Sequence, residues 1–270
     1  MKKVILITGA SAGMGKDFAR HLLNDGHIVY GAARRADKMA DLAGMGIKVL
    51  KMDVTIDQDM TEGVEEIIKT EGRIDVLINN AGYGLYGAVE DVPLKDARHQ
   101  LDVNLFGAAR LAQLVIPQMR KQRSGTIINI SSIGGKLANM LGGWYHASKF
   151  ALEGLSDSLR NEVEQFGIDV VVIEPGGVKS EWSGIAADNL YKISGNTKYQ
   201  HQVDGFTKIL KKTAVKNADP IVIVNLVRQA IAAGKPKTRY SGGYMAKLGL
   251  FMRWLLPDRT FDKMMMSQLK

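Results

Sequence analysis

The sequence predicts a doubly wound α/β fold: a parallel sheet with helices on both faces, in a single domain. Three observations predict it. Short apolar, β-branched runs of strand length alternate with amphipathic segments of helix length from the first residues onward. A glycine-rich turn, Thr8-Gly9-Ala10-Ser11-Ala12-Gly13-Met14-Gly15, stands between the first apolar run and the first helical segment. The other motifs fall where a strand should end or on the helix that follows, and open parallel sheets bind ligands at those carboxyl ends.

The elements follow in order. Residues 4–8 are continuously apolar up to Thr8 and read as a buried first strand. The preceding Met-Lys-Lys resembles the start of a signal peptide, but the apolar run is too short and no cleavage site follows. Helix 13–24 comes next, then strand 27–33, helix 36–43, strand 48–52, helix 57–70 and strand 76–79. A long helical region over 93–123 precedes strand 126–130, the helix that carries Tyr145, and strand 169–173. Residues 181–218 are polar, contain Ser194-Gly195-Asn196, and read as a mobile lid over a substrate. Asp219-Pro220 suits the cap and first position of a further helix, and 237–241 a final strand. Residues 245–256 are apolar apart from Lys247 and Arg253, end at Pro257, and are too short and too charged to span a bilayer. They begin a C-terminal extension, 245–270, expected to pack on the domain or a partner subunit, with membrane contact the lesser alternative.

Composition narrows the function classes. No linker, repeat or low-complexity tract divides the 270 residues, so 1–270 reads as one domain. The absence of cysteine excludes disulfides and thiolate metal sites and fits a cytoplasmic protein; no metal-ligand spacing appears, and no metal is expected. The net charge of +8 is dispersed, with no basic run interleaved with aromatics, so nucleic acid is not the expected partner. An anionic cofactor would account for part of it.

The motifs carry the chemistry. Gly9, Gly13 and Gly15 permit a tight turn that brings backbone close to a pyrophosphate at a helix N-terminus. At the end of the second strand, alanines stand where an acid would bind a ribose 2′-hydroxyl, and Arg34 and Arg35 follow, suited to a 2′-phosphate. Asp53-Val54 could receive an adenine amine. Asn79-Asn80-Ala81-Gly82 is a run of amides and small residues able to hold a loop around a cofactor. Asn104 interrupts the long helical region, either as a local kink or surface amide or as a buried polar group organising water near the site. Tyr145 and Lys149 share a helix face at i, i+4. A neighbouring ammonium stabilises a phenolate and draws the phenol from about 10 toward neutrality, which makes Tyr145 a candidate general acid/base.

With Ser131-Ser132 added to these, the chain closely resembles the short-chain dehydrogenase/reductase family over about residues 1–180. The resemblance implies a Rossmann-type doubly wound sheet. It makes Asn104, Ser132, Tyr145 and Lys149 the catalytic set. It places the cofactor on Gly9, Ser11, Gly13, Met14, Gly15, Arg34, Arg35, Asp53, Val54, Asn80, Ala81, Gly82, Tyr145, Lys149, Pro175, Gly176, Val178 and Ser180, the last where the family more often has threonine. Some NADP-dependent members carry a basic residue at the position of Ala12. Here a preference for NADP(H) must rest on Arg34 and Arg35, and which of the two is primary stays open. The implied protein is a cytoplasmic NADP(H)-dependent oxidoreductase, a homodimer or homotetramer, acting on a small-molecule ketone or secondary alcohol.

The substrate pocket is expected from Tyr83-Gly84-Leu85-Tyr86, residues 133–141 and the lid. Leu85, Ile133, Leu137, Met140, Leu141, Trp144, Trp182 and Ile185 would make it apolar, with Lys136 the cation in the first two segments. A hydrophobic carbonyl compound follows, steroid- or retinoid-like at the upper end of size. The rival is an NADP(H)-binding, redox-sensing regulatory protein without turnover; such proteins often lose a catalytic residue, and all four are present here. Methyl transfer from S-adenosylmethionine is disfavoured by the Tyr/Lys/Ser set.

Overall fold

Strand β1 (Val4–Thr8) alternates its side chains between two helical layers. Ile5 and Ile7 enter one core, Val4 and Leu6 the other. That division runs through the computed structural model, which describes residues 2–179 and 182–267. Strands β2 (Ile28–Ala33), β3 (Lys48–Lys51), β4 (Val76–Asn79), β5 (Gly125–Ile130), β6 (Ile168–Pro175) and β7 (Arg239–Gly242) complete a seven-stranded sheet. Its order is β3-β2-β1-β4-β5-β6-β7, with every neighbouring pair parallel. The order reverses between β1 and β4, which opens a crevice at their carboxyl ends.

One layer holds α1 (Gly13–Asn24), α2 (Ala40–Met45) and α9 (Ile221–Ala232), whose Phe18, Leu22, Leu42, Val227 and Ile231 are buried on the sheet. The other holds α3 (Asp57–Glu71), α5 (Gly107–Gln122) and the end of α6 (Gly143–Val163), contributing Val64, Ile67, Leu111, Val115 and Val163. The helical segment read at 36–43 starts as a 3-10 turn, Ala36–Met39, and α2 runs on to Met45, where Gly46 at φ 103° ends it. The long region 93–123 is three pieces: α4 (Leu94–Leu101), a π-helical turn over Asp102–Phe106, and α5. Asn104 lies inside that turn, and its amide bonds, described below, are what the widened turn serves.

The segment expected as a lid is not an irregular loop in its described part. It forms α7 (Trp182–Ser194) and α8 (Gln200–Ala214). Its neck is tied: Val178 bridges to Ala218, and Lys179 N donates to Ala218 O at 2.9 Å. The excursion therefore leaves and re-enters the domain at one place. Asp219 turns the chain into α9, its Oδ1 accepting from Ile221 N at 3.0 Å, but the cap position falls one residue later than read, on Pro220 in helical conformation. The tail forms α10 (Ala246–Leu255) and, past Pro257, α11 (Asp258–Ser267), a helix the sequence reading did not include. Packing of α10 on the domain holds for one side only, since Leu248, Phe251, Trp254 and Leu255 are exposed. Among the described residues no helix is long and apolar enough to cross a membrane.

Candidate active site

The turn after β1 is built by close approach. At Gly15 a Cβ would sit 2.4 Å from Gly9 O and 2.4 Å from Asn80 Nδ2, and Gly9 itself stands at φ 68°. Both need glycine. Asn80 Nδ2 donates to Thr8 O at 2.9 Å, while Asn80 N and Ala81 N donate to Thr8 Oγ1 at 3.0 Å each. The Thr8 hydroxyl thus stitches the ends of β1 and β4 across the crevice. Sequence reasoning placed Thr8 in the glycine turn without giving it that role, because its partners lie more than seventy positions away. Helix α1 opens at Gly13 with no side-chain cap and no acid in its first turn, and Met14 packs down onto the core. The first-turn N–H groups are left to face the crevice without a side-chain acceptor, which fits a pyrophosphate of a dinucleotide cofactor.

Beside it, Arg34 extends from β2 with its side chain 65 % exposed and Nε 4.0 Å from Asp53 Oδ2. Arg35 is exposed as well. Asp53 Oδ1 accepts from both Thr55 N and Thr55 Oγ1, at 2.9 and 2.8 Å, so its carboxylate is fixed in place. Val54 is backed by Gly107, where a Cβ would meet Val54 O at 2.5 Å. On the other side of the crevice, Gly176 N donates to Gly242 O, which clamps the Pro175-Gly176 turn against β7, and Val178 packs on the core. Ser180 lies outside the described residues.

The four residues expected to carry catalysis converge. Lys149 is buried and donates from Nζ to Ile130 O at 2.8 Å. A Cβ on Gly82 would lie 3.6 Å from Lys149 Nζ and 3.1 Å from Asn104 Oδ1, so these three groups share one small volume. Asn104 Oδ1 accepts from Tyr83 N, and its Nδ2 donates to Tyr83 O and to Ser148 Oγ, all at 3.0 Å. Its amide works as a clamp between the Tyr83 backbone and α6. Gln100, wholly buried, adds a second donor to Tyr83 O at 3.0 Å. Ser132 follows β5, accepts from Gly134 N at 2.9 Å, and is hydrogen-bonded to the Tyr145 phenol. Next to Tyr145, the buried His146 ring joins Gly134 O at Nδ1 and accepts from Asn139 N at Nε2, which pins the 134–139 loop to α6.

The electrostatics differ from the expectation that Lys149 draws the phenol down. Burial pushes the Tyr145 phenol above its ordinary value, and the hydrogen bond from Ser132 opposes it. Lys149 is not among the causes. Burial instead lowers Lys149 itself to about 8, with the Glu153 carboxylate one turn on opposing the fall. A low-dielectric site disfavours both ionised forms, so its resting state holds a protonated phenol.

The apolar wall around Tyr145 is partly the one expected. Tyr86 packs on Tyr145 with ring centroids 5.7 Å apart and stacks on Phe206 at 5.6 Å. Leu141, Met140, Leu190, Val203 and Phe206 complete the cluster, three of them from α7 and α8. Leu85 and Trp144 are instead packed with Val92, Ala97, Tyr83 and Ile193 in a separate core. Ile185 points to solvent, Leu137 lies against Gly249 of α10, and the side chain of Trp182 lies outside the described residues. Lys136 is not a pocket cation either: its Nζ is 3.2 Å from Glu153 Oε2. Side-chain direction at Leu85 and Tyr86 depends on α7 and α8, over a hundred positions away.

Behind the site, Glu153, Asp157, Glu174, Lys136 and Arg239 form a partly buried charge cluster. Burial and the neighbouring Glu153 raise Glu174 to about 7. Its folded value lies above the unfolded one of 4.5, so stability is lost as pH rises from 4.5 through 7. Glu174→Gln is expected to stabilise the protein by about 1–3 kcal/mol at pH 8 and by little at pH 5. Thermal unfolding at both pH values checks this, and an equal shift at both would remove Glu174 as the titrating group.

Among the described residues no group of three or more His, Asp or Glu is placed to hold a metal. Comparison with known proteins agrees with the geometry. The model of the family described as short chain dehydrogenase matches residues 3–189. The chain is 38 % identical over 264 residues to a 3-ketodihydrosphingosine reductase of Bacteroides thetaiotaomicron, covering 96 % of this chain and 95 % of that one. It is 31 % identical over 277 residues to an NADPH-dependent 3-dehydrocapnine reductase of Ornithobacterium rhinotracheale, covering 98 % and 96 %. A solved short-chain dehydrogenase from Streptomyces avermitilis superposes with a TM-score of 0.82 at 31 % identity, covering 94 % of this chain and 93 % of that one.

Proposed function

The chain belongs to the short-chain dehydrogenase family, and from that premise we propose that it is an NADP(H)-dependent reductase of a hydrophobic ketone, one carried on a long apolar chain. The observation that carries the reading is the position of Tyr145: a protonated, buried phenol joined to Ser132 and walled by Tyr86, Leu141, Leu190, Val203 and Phe206. Residues able to hold the cofactor are the Thr8–Gly15 turn, the first turn of α1, Arg34 with Arg35, Asp53-Val54, Asn80-Ala81-Gly82 and the Pro175–Val178 turn. When bound there, a nicotinamide cofactor supplies the hydride.

The chain's own groups do the rest. Tyr145 gives its proton to the ketone oxygen, and burial keeps that proton on the phenol until it is needed. Ser132 donates a hydrogen bond to the same oxygen and stabilises the charge that develops on it. Lys149, held by Ile130 O, places a cation beside the site when protonated. The apolar wall takes the alkyl portion and excludes water. Two relatives are named as reductases of 3-ketodihydrosphingosine and of 3-dehydrocapnine, which favours a linear chain over a fused ring system. Among the described residues of this wall there is no cation for an anionic keto acid.

The test is a set of ketones, from short keto acids through aryl and steroid ketones to 3-ketodihydrosphingosine, assayed with NADPH and NADH. Efficiency should rise with alkyl length, and anionic keto acids well ahead of the rest would overturn the substrate reading. NADPH should be preferred, and Arg34→Ala should erode that preference by a factor of about ten to a hundred, the worth of one charge-assisted phosphate contact. Equal use of both cofactors by the unmutated enzyme would sink the phosphate assignment. Cofactor binding with no turnover of any ketone would favour the redox-sensing alternative.

A further inference from the structure

The outer face of α10 has the wrong polarity for a helix facing water. Its exposed residues are Lys247, Leu248, Phe251, Trp254 and Leu255. At about 100° per residue they fall in one sector about 120° wide. Leu248 and Phe251 are each 50 % exposed, Leu255 52 % and Trp254 77 %, and the Phe251 and Trp254 ring centroids lie 5.9 Å apart. The opposite side is already used, with Ala246 buried and Gly249 against Leu137. Met245 and Val222, also exposed, continue the apolar surface around an open depression of about 430 Å³.

We infer that this face docks on the surface of an anionic lipid bilayer, with Trp254, Phe251, Leu248 and Leu255 entering the interface. The four side chains expose on the order of 400–500 Å² of apolar surface, beyond what scattered surface residues account for. A helix lying on a bilayer binds by such an apolar face together with attraction of its cations to anionic lipid. Charge points the same way. Between Met245 and Ser267 the cations are Lys247, Arg253, Arg259 and Lys263, against Asp258 and Asp262. Arg253 is paired with Asp258 at 2.7 Å, which leaves Lys247, Arg259 and Lys263 exposed with Asp262, a surplus of two positive charges for headgroups, in a chain of net charge +8. With ten residues α10 is too short to span, so it would lie in the plane of the interface.

The functional consequence rests on the reductase reading. Helix α10 packs on the loop that begins at Ser132, through the Leu137–Gly249 contact. Docking therefore sets the substrate loop at the lipid surface, where a ketone on a long alkyl chain resides.

The experiment is flotation of the intact protein with vesicles of phosphatidylcholine alone or mixed with phosphatidylglycerol. The unmutated chain should float with the mixed vesicles several-fold better than with neutral ones, and less at high salt. Phe251→Ser with Trp254→Ser should weaken flotation about tenfold or more while leaving turnover of a water-soluble ketone unchanged. Lys247→Glu should reduce the preference for the anionic vesicles. Quenching of tryptophan fluorescence by brominated lipid should accompany binding and disappear in the double variant. Absence of flotation by the unmutated chain, or flotation unaffected by the double variant, would overturn the proposal. So would dissociation of an oligomer by the double variant, which would assign the face to a second copy. Vesicle binding without turnover of any ketone would sink the reductase reading and leave the docking surface standing; turnover without binding would do the reverse.

Discussion

Tyr145→Phe is expected to lower kcat for ketone reduction by about 10²–10⁴ while leaving NADPH affinity within a few-fold. The substitution removes only the hydroxyl. The ring keeps its contacts with Tyr86, Leu141 and the lid residues, so the fold around it should be unchanged. What is lost is the proton that burial holds on the phenol, and with it the partner of Ser132 at the substrate oxygen. The groups proposed to hold most of the cofactor lie elsewhere, in the glycine turn and the arginines after β2. Steady-state reduction, fluorescence titration of NADPH and a thermal melt on the same preparation separate these effects. Retention of most of the wild-type rate would remove Tyr145 from the mechanism.

Lys149→Met should separate activity from stability. Burial holds Lys149 at about 8, against 10.5 when free. Between those values the unfolded chain binds a proton that the folded chain does not, so stability rises with pH across that window. Below about 8 the folded state carries the full cost of a buried cation, about 3 kcal/mol by linkage, partly offset by about 1 kcal/mol from the bond to Ile130 O. Replacement by methionine, which fills the same channel without charge, is therefore expected to stabilise the protein by about 1–2 kcal/mol at pH 7. The gain should shrink as pH rises toward 10. Turnover should fall by about 10² or more, because the cation beside the phenol is gone. Denaturant unfolding at pH 7 and pH 9.5, beside kcat, checks both arms. A variant less stable at pH 7 would show that the Lys149 bond outweighs its burial cost.

The division between legible and illegible follows the range of the interactions. A strand such as 4–8 or 76–79 shows in the sequence because continuous apolar character is what burial on both faces demands. The β1 turn shows because only glycine tolerates the backbone approach at Gly9 and Gly15. The Tyr145–Lys149 pairing shows because helical spacing puts i and i+4 on one face. The π turn at Asn104 showed only as an awkward residue in a helix, since its cause is the backbone of Tyr83, twenty-one positions away. The lid segment shows as polar rather than as two helices because α7 and α8 bury their apolar face on Tyr86 and Tyr145 and keep polar residues outside.

By itself the sequence determined the strands, the glycine turn, the Tyr145–Lys149 pairing and the basic pair after the second strand through local spacing and side-chain chemistry, while Asn104 and Ser132 joined the set by resemblance to the family. Only the tertiary structure decided which apolar residues face the phenol, placing Phe206 there and sending Leu85 and Trp144 into another core. It alone decided that Lys136 is spent on Glu153, that burial pushes the phenol up, and that α10 turns its aromatic face outward. The reason is the same in each case. Burial and charge pairing are properties of the space between distant segments, and a residue's own neighbours in the chain do not contain it.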